Sequence, residues 1–108
     1  MTKAMMYWDQ LRLEVTGHAG GGTKGNDLVC CAVSALTGAL IGVLQDAETR
    51  GRTGMEWKWN EEQTRLVIRA DPNMGSLNEI KAYFRMCVKG LRMLSEQDRD
   101  KVEIREVL

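Results

Sequence analysis

DLVCCAVSALTGALIGVLQD, Asp27 to Asp46, is the stretch on which the fold turns. Acidic residues bound it, and between them stand Leu28, Val29, Val33, Leu36, Leu40, Ile41, Val43 and Leu44. These apolar positions lie almost all round a helical wheel. The spacing predicts a helix, running to about Glu48, that needs cover on every side. A sheet supplies one cover; a second helix or a partner subunit must supply the rest. Ser34, Thr37, Gly38 and Gly42 interrupt the apolar run, which favours a buried helix over a membrane span. Ala35, Gly38, Ala39 and Gly42 form a small-residue strip that permits another backbone to come close. Asn26 or Asp27 is placed to cap the helix start.

The flanks read as strands. Upstream, Lys3 to Tyr7 form a first strand and Trp8-Asp9-Gln10 a tight turn. Leu11, Leu13 and Val15 then alternate with Arg12, Glu14 and Thr16, the period of a strand with one buried face. The glycine-rich segment Gly17 to Asn26 joins this strand to the helix. Downstream, Arg50 to Gly54 is a turn, after which Met55, Trp57 and Trp59 alternate with Glu56 and Lys58. Leu66, Ile68 and Ala70 alternate with Arg65 and Arg69, so Asn60 to Gln63 reads as a hairpin loop. Ser76 to Glu79 has the pattern of a capping box. Leu77, Ile80, Phe84, Cys87, Leu91 and Leu94 make one stripe of a second helix, and Val102 and Ile104, with Val107 left open, close the chain as a short strand. The order is ββαββαβ: an α+β (α/β) sandwich with two main helices on a mixed sheet of about five strands, one domain over residues 1–108.

Composition narrows the function classes. Hydrophobic residues make up 44% and charged residues 28%, as in an ordinary soluble domain. Lys plus Arg number 15 and Asp plus Glu 15, so no overall field draws the chain to nucleic acid or an anionic membrane. No direct nucleic-acid binding and no membrane partner are expected, although a local basic patch is left open. Three cysteines, two of them adjacent, make no disulfide framework and predict a reducing, intracellular setting. The first residues, MTKAMMYWDQ, meet Asp9 before any long apolar run and do not read as a signal peptide.

The chemistry concentrates between Gly17 and Ser34. Cys30 falls about three residues into the predicted helix, where unpaired amides and the helix dipole favour a thiolate and an oxyanion. His18, the only histidine, is the one imidazole able to act as its base. The bland readings stand beside these: a cysteine on an apolar helix is commonly an inert core residue, and His18 is equally placed to bond a turn. Asp27 is a cap or an orienter of His18, and its charge would raise a neighbouring thiol pKa. Cys31 points about 100° away round the helix and packs in the core or competes as a thiol; Cys87 belongs to the core stripe. Gly20, Gly22 and Gly25 satisfy G-x-G-x-x-G, but the last glycine precedes the cap, which weakens dinucleotide binding. Thr23 precedes Lys24, so the P-loop pattern fails. One histidine and two adjacent cysteines supply too few ligands for zinc. No metal or cofactor is expected.

Gly17-His18-Ala19-Gly20, then Asp27-Leu28-Val29-Cys30, then Ala32-Val33-Ser34-Ala35-Leu36, resembles the signature of the ribosomal-processing cysteine protease family Prp. His18 and Cys30 keep that family's spacing of twelve positions. Gly75-Ser76-Leu77 and Gly90-Leu91-Arg92-Met93-Leu94 are similar to its second helix. The resemblance implies a homodimeric, cytoplasmic endopeptidase that removes the N-terminal extension of large-subunit ribosomal protein number twenty-seven, with a glycine-rich loop gating entry. It implies Cys30 as nucleophile and His18 as general base, with Asp27, Ser34, Gly17 and Gly20 at supporting positions. The chain departs from the family at Gly21-Gly22, where a bulkier pair is usual, and at Cys31, where a small residue is usual. Two other classes remain open: an inactive ribosome-associated binding module of the same fold, and an anion-binding glycine loop.

Overall fold

The computed structural model describes residues 1–17 and 28–108. Seven elements follow in the predicted order: β1 (Thr2–Tyr7), β2 (Arg12–Thr16), α1 (Leu28–Thr49), β3 (Thr53–Asn60), β4 (Arg65–Pro72), α2 (Leu77–Gln97) and β5 (Val102–Val107). The five strands form one mixed sheet in the order β3-β4-β2-β1-β5. Three pairings are antiparallel; β1 and β5 run parallel, with Ala4 opposite Ile104.

Strand alternation sorts the two faces of the sheet. Ala4, Met6, Leu13, Val15, Ile68, Ala70, Val102 and Ile104 point inward and are buried. Both helices lie on that face. Met6, Leu13, Leu44, Ile68, Ile80, Phe84 and Leu91 fill the middle of the core, each large side chain stabilising by about 1.5–3 kcal/mol on full burial. The outer face is polar and meets water. There Arg12 contacts Glu14 at 2.9 Å, Arg65 pairs with the same carboxylate, and the Arg12 guanidinium lies 4.5 Å from the centre of the Tyr7 ring.

Within one protomer, helix α1 is covered on one side and one flank only. Val33, Thr37, Leu40, Leu44 and Ala47 are buried beneath it, and α2 lies along one flank. The opposite side, including Cys31, Ala35, Gly38 and Ala39, is exposed, and Leu28 is 80% exposed. Its length and mean hydropathy of 2.0 would suffice for a membrane span, yet its inward face is the centre of this core. The small-residue strip does not receive α2: nothing lies within 4 Å of a Cβ built at Gly38 or Gly42. Close helix approach occurs instead through Gly90 of α2, which faces Leu36, and Cys87 Sγ lies 3.7 Å from the Leu36 carbonyl oxygen. The helix ends one residue beyond Glu48 in a Schellman motif. Gly51, with φ +74°, donates its N–H to Glu48 O at 2.9 Å, and Arg52 donates to Ala47 O at 2.9 Å.

The capping box does not form. Ser76 occupies the N-cap position of α2 without a side-chain cap bond. Glu79 turns away to accept from Tyr83 Oη at 2.5 Å and Arg50 at 3.1 Å, with Arg52 at 3.4 Å. Two guanidiniums and a phenol offer a carboxylate stronger, charge-assisted bonds than one backbone amide. Leu77, expected in the core stripe, stands 45% exposed at the helix start, on the edge of a hollow it shares with Ala70 and Pro72 of β4. Cys87 is core as expected; burial pushes its thiol up to about 12.

Candidate active site

One cleft of about 150 Å³ opens where β2 ends and α1 begins. Cys30, third residue of α1, lines it together with Ser34 and Thr37 on the same helix face. The spacing 30, 33, 34, 37 is one side of a helix, so Val33 joins them. Gly17, the residue immediately before His18, forms part of the facing wall with Thr2 and Val15. Trp59, Thr64 and Leu66 close the third side from the β3–β4 hairpin. None of these ten lining residues is charged.

The positions of these residues follow from local sequence. Gly17 has φ +85°, and a Cβ there would overlap the Met1 carbonyl oxygen. Only glycine lets the chain pass this close to the start of β1 while leaving the sheet. Its N–H donates to Thr64 O at 3.0 Å, which ties the end of β2 to the hairpin. Thr37 is buried, and its hydroxyl donates to Val33 O at 3.0 Å. That hydroxyl is thereby satisfied inside the helix. Trp59 lies on the helix-facing side of the edge strand β3, but α1 does not cover it and it is 51% exposed.

Cys30 is half-buried and Cys31 exposed. Cys31 is therefore not the core residue that one reading of the sequence allowed. No disulfide joins Cys30, Cys31 and Cys87. At the third position of α1, Cys30 sits among the first-turn amides that lack intrahelical acceptors, and the described first turn carries no acidic side chain. Such amides are suited to a thiolate and to the oxyanion of a tetrahedral intermediate.

Among the predicted site residues, the structure brings Cys30, Ser34 and Gly17 into one cleft. His18, Gly20 and Asp27, with the glycine pattern Gly20, Gly22, Gly25 and the Asn26 or Asp27 cap, lie outside the described residues. Sequence reasoning missed Thr37, Trp59, Thr64, Leu66 and Thr2. Helical spacing from Cys30 would have found Thr37. Nothing local pointed to Thr2 or to the hairpin residues, which arrive through strand order. No group of three or more metal-ligating side chains occurs among the described residues.

A thiol at a helix start, open to a cleft at the end of a strand, is an arrangement that cysteine-dependent enzymes use. Comparison with known proteins gives the particular kind: residues 1–103 match the family described as Cysteine protease Prp, and the chain belongs to that family. The protein is a cysteine protease. Solved structures share its fold. The ribosomal processing protease Prp of S. aureus, in complex with a covalently linked product peptide, superposes with a TM-score of 0.76 at 16% identity, covering 99% of this chain and 100% of that one. The same S. aureus protease with a substrate peptide gives 0.74 at 15% identity, over 99% and 100%. A protein of Streptococcus mutans gives 0.73 at 22% identity, over 98% and 91%. No curated protein sequence matches the chain.

Proposed function

We propose that this protease uses Cys30 as nucleophile and His18 as general base to remove the N-terminal extension of large-subunit ribosomal protein number twenty-seven. The observation that carries the reading is the shared cleft: Cys30 lines it opposite Gly17, and His18 is the next residue in the chain. His18 takes the Cys30 thiol proton, and the sulfur attacks the carbonyl carbon of the scissile bond. The amides of the first turn of α1 stabilise the resulting oxyanion. The C–N bond then breaks, His18 gives its proton to the departing amine, and water hydrolyses the thioester to free Cys30. Ser34, one turn beyond Cys30, and Gly17 support the cleft; Asp27 and Gly20 are assigned supporting positions by the family resemblance. The S. aureus complexes with product and substrate peptides support an extended peptide as the ligand.

The same reading includes a cytoplasmic homodimer. Three cysteines without a disulfide suit a reducing compartment. The open side of α1 and an apolar hollow of about 370 Å³ between α1 and α2, lined by Leu36, Val43, Tyr83 and Met86, suit a second copy. Sedimentation at micromolar concentration should show a dimer, and a monomer alone would count against this part.

The decisive experiment incubates the purified protein with a peptide spanning the ribosomal protein's N-terminal extension and follows cleavage by mass spectrometry. Cys30→Ala should abolish cleavage and His18→Ala should reduce it at least ~100-fold. Cys31→Ala should retain most of it. Loss of activity in Cys31→Ala with retention in Cys30→Ala would overturn the assignment. Peptide binding without cleavage by the parent protein would favour the inactive binding module.

A further inference from the structure

A second site lies on the outer side of α2 and shares no residue with the Cys30 cleft. A groove of about 480 Å³ runs there between the helix and the far ends of β1 and β5. Lys81, Arg85, Lys89 and Arg92 line it in one stripe. The first three are spaced four residues apart, about 6 Å of helix rise per step. Glu106 is the one acidic side chain in the lining, and it is already engaged. It accepts from Trp8 Nε1 at 2.8 Å and pairs with Arg92. The Trp8 indole and then the Arg92 guanidinium hold its carboxyl below the usual range.

Lys81, Arg85 and Lys89 have no ion-pair partner among the described residues. Like charges at four-residue spacing destabilise a helix, so a solvated face of this kind normally interleaves acids with its bases. This stripe does not do so between Lys81 and Arg92. An anionic occupant would compensate the three charges together. Trp8 supplies the second element of recognition. Its indole is anchored through Glu106, and it lines both this groove and an adjoining hollow of about 440 Å³ that contains Asp9 and Asp71.

We propose that this groove binds single-stranded RNA. Phosphates follow Lys81, Arg85 and Lys89, one per cation, and an unstacked base lies against Trp8. A basic track beside an aromatic platform is the combination such chains require. Trp8 is what distinguishes RNA from an acidic peptide, because a base has a π-face to lay against the indole and a chain of carboxylates has none. Asp9 and Asp71, in the adjoining hollow that Lys81 and Arg69 also line, can accept hydrogen bonds from the exocyclic amine of that base. A net charge of zero hides this track, because acids elsewhere on the surface balance it.

The test is fluorescence anisotropy with a labelled oligocytidylate of ~12 nucleotides. The parent protein should bind with an affinity that falls with salt, the slope of log K against log salt being about −2 for three contacts of ~0.7 each. The double variant Arg85→Gln/Lys89→Gln should melt like the parent, shift the slope to about −0.7 and bind ~25-fold more weakly near 0.1 M salt. An abasic strand of equal length should bind at least ~5-fold more weakly, for want of stacking. The double variant should also cleave peptide as the parent does, so failure of the protease reading would leave this readout intact. Absence of binding at ~0.05 M salt, equal affinity of the double variant, or polyglutamate displacing the RNA at equal concentration would each overturn the proposal.

Discussion

Gly17→Ala tests the link between backbone conformation and the cleft most directly. Gly17 has φ +85°, a region that costs an L-residue about 1–2 kcal/mol. The new methyl would also overlap the Met1 carbonyl oxygen, a backbone atom that cannot swing aside as a side chain does. Either the start of β1 or the end of β2 must move. That strains the Gly17 N–H bond to Thr64 O at 3.0 Å and the Thr2 N–H bond to Lys101 O at 2.8 Å, each contributing about 1 kcal/mol. The expected loss is about 2–4 kcal/mol. At about 4–8 °C per kcal/mol for a domain near this size, the midpoint should fall by roughly 10–30 °C. Activity should fall further than stability alone explains, because Gly17 forms the cleft wall opposite Cys30; a displacement near 1 Å costs about 100-fold. Differential scanning fluorimetry and peptide cleavage well below the midpoint separate the two effects. Gly38→Ala is the control within a protomer, since nothing among the described residues of the chain lies within 4 Å of the new methyl and alanine favours the helix by about 1 kcal/mol. A Gly17→Ala protein that melts within ~2 °C of the parent and cleaves at the parental rate would refute the reasoning.

Three other outcomes are expected. Burial holds the Cys87 thiol at about 12, so native protein treated with iodoacetamide near pH 8 should leave Cys87 unlabelled; its prompt modification would show that the core opens readily. Tyr83 and then Arg50 lower the Glu79 pKa, so its stabilising effect is full above the ordinary carboxylate value and is lost as pH falls through the lowered one. Urea midpoints for parent and Glu79→Gln should therefore differ near neutrality and converge in acid, and a gap that widened with acidity would reverse that sign. Leu44 is fully buried between the helices and the sheet, so Leu44→Ala should cost about 2–5 kcal/mol in urea unfolding; a loss under ~1 kcal/mol would mean the site collapses freely.

What the sequence disclosed is local. The alternations around Leu13, Trp57 and Ile68, and the stripe from Ile80 to Leu91, are set by which side of each element meets the core, so periodicity revealed them. Glu79 shows where that information stops. Its spacing from Ser76 suggested a cap, but Arg50 and Arg52 lie far away in the chain and bind it more strongly. The exposed side of α1 is a similar case, because composition records how apolar a helix is and not how many neighbours one chain provides. Cys30, Ser34 and Gly17 stood out as a group, and they share a cleft. Trp59 and Thr2 were invisible because strand order, which no local pattern encodes, carries them there. The basic groove was equally hidden: Trp8 and Glu106 lie at opposite ends of the sequence, and only the pairing of β1 with β5 brings them to α2.

That parallel pairing has a consequence for how the enzyme comes into being. Strand β5 supplies the partner for β1, and Thr2, which donates to Lys101 O, is part of the cleft wall. While β5 is undocked, β1 keeps only its antiparallel partner β2, and the Thr2 N–H lacks its Lys101 O acceptor. Docking of β5 is therefore the step that braces the Thr2 side of the cleft.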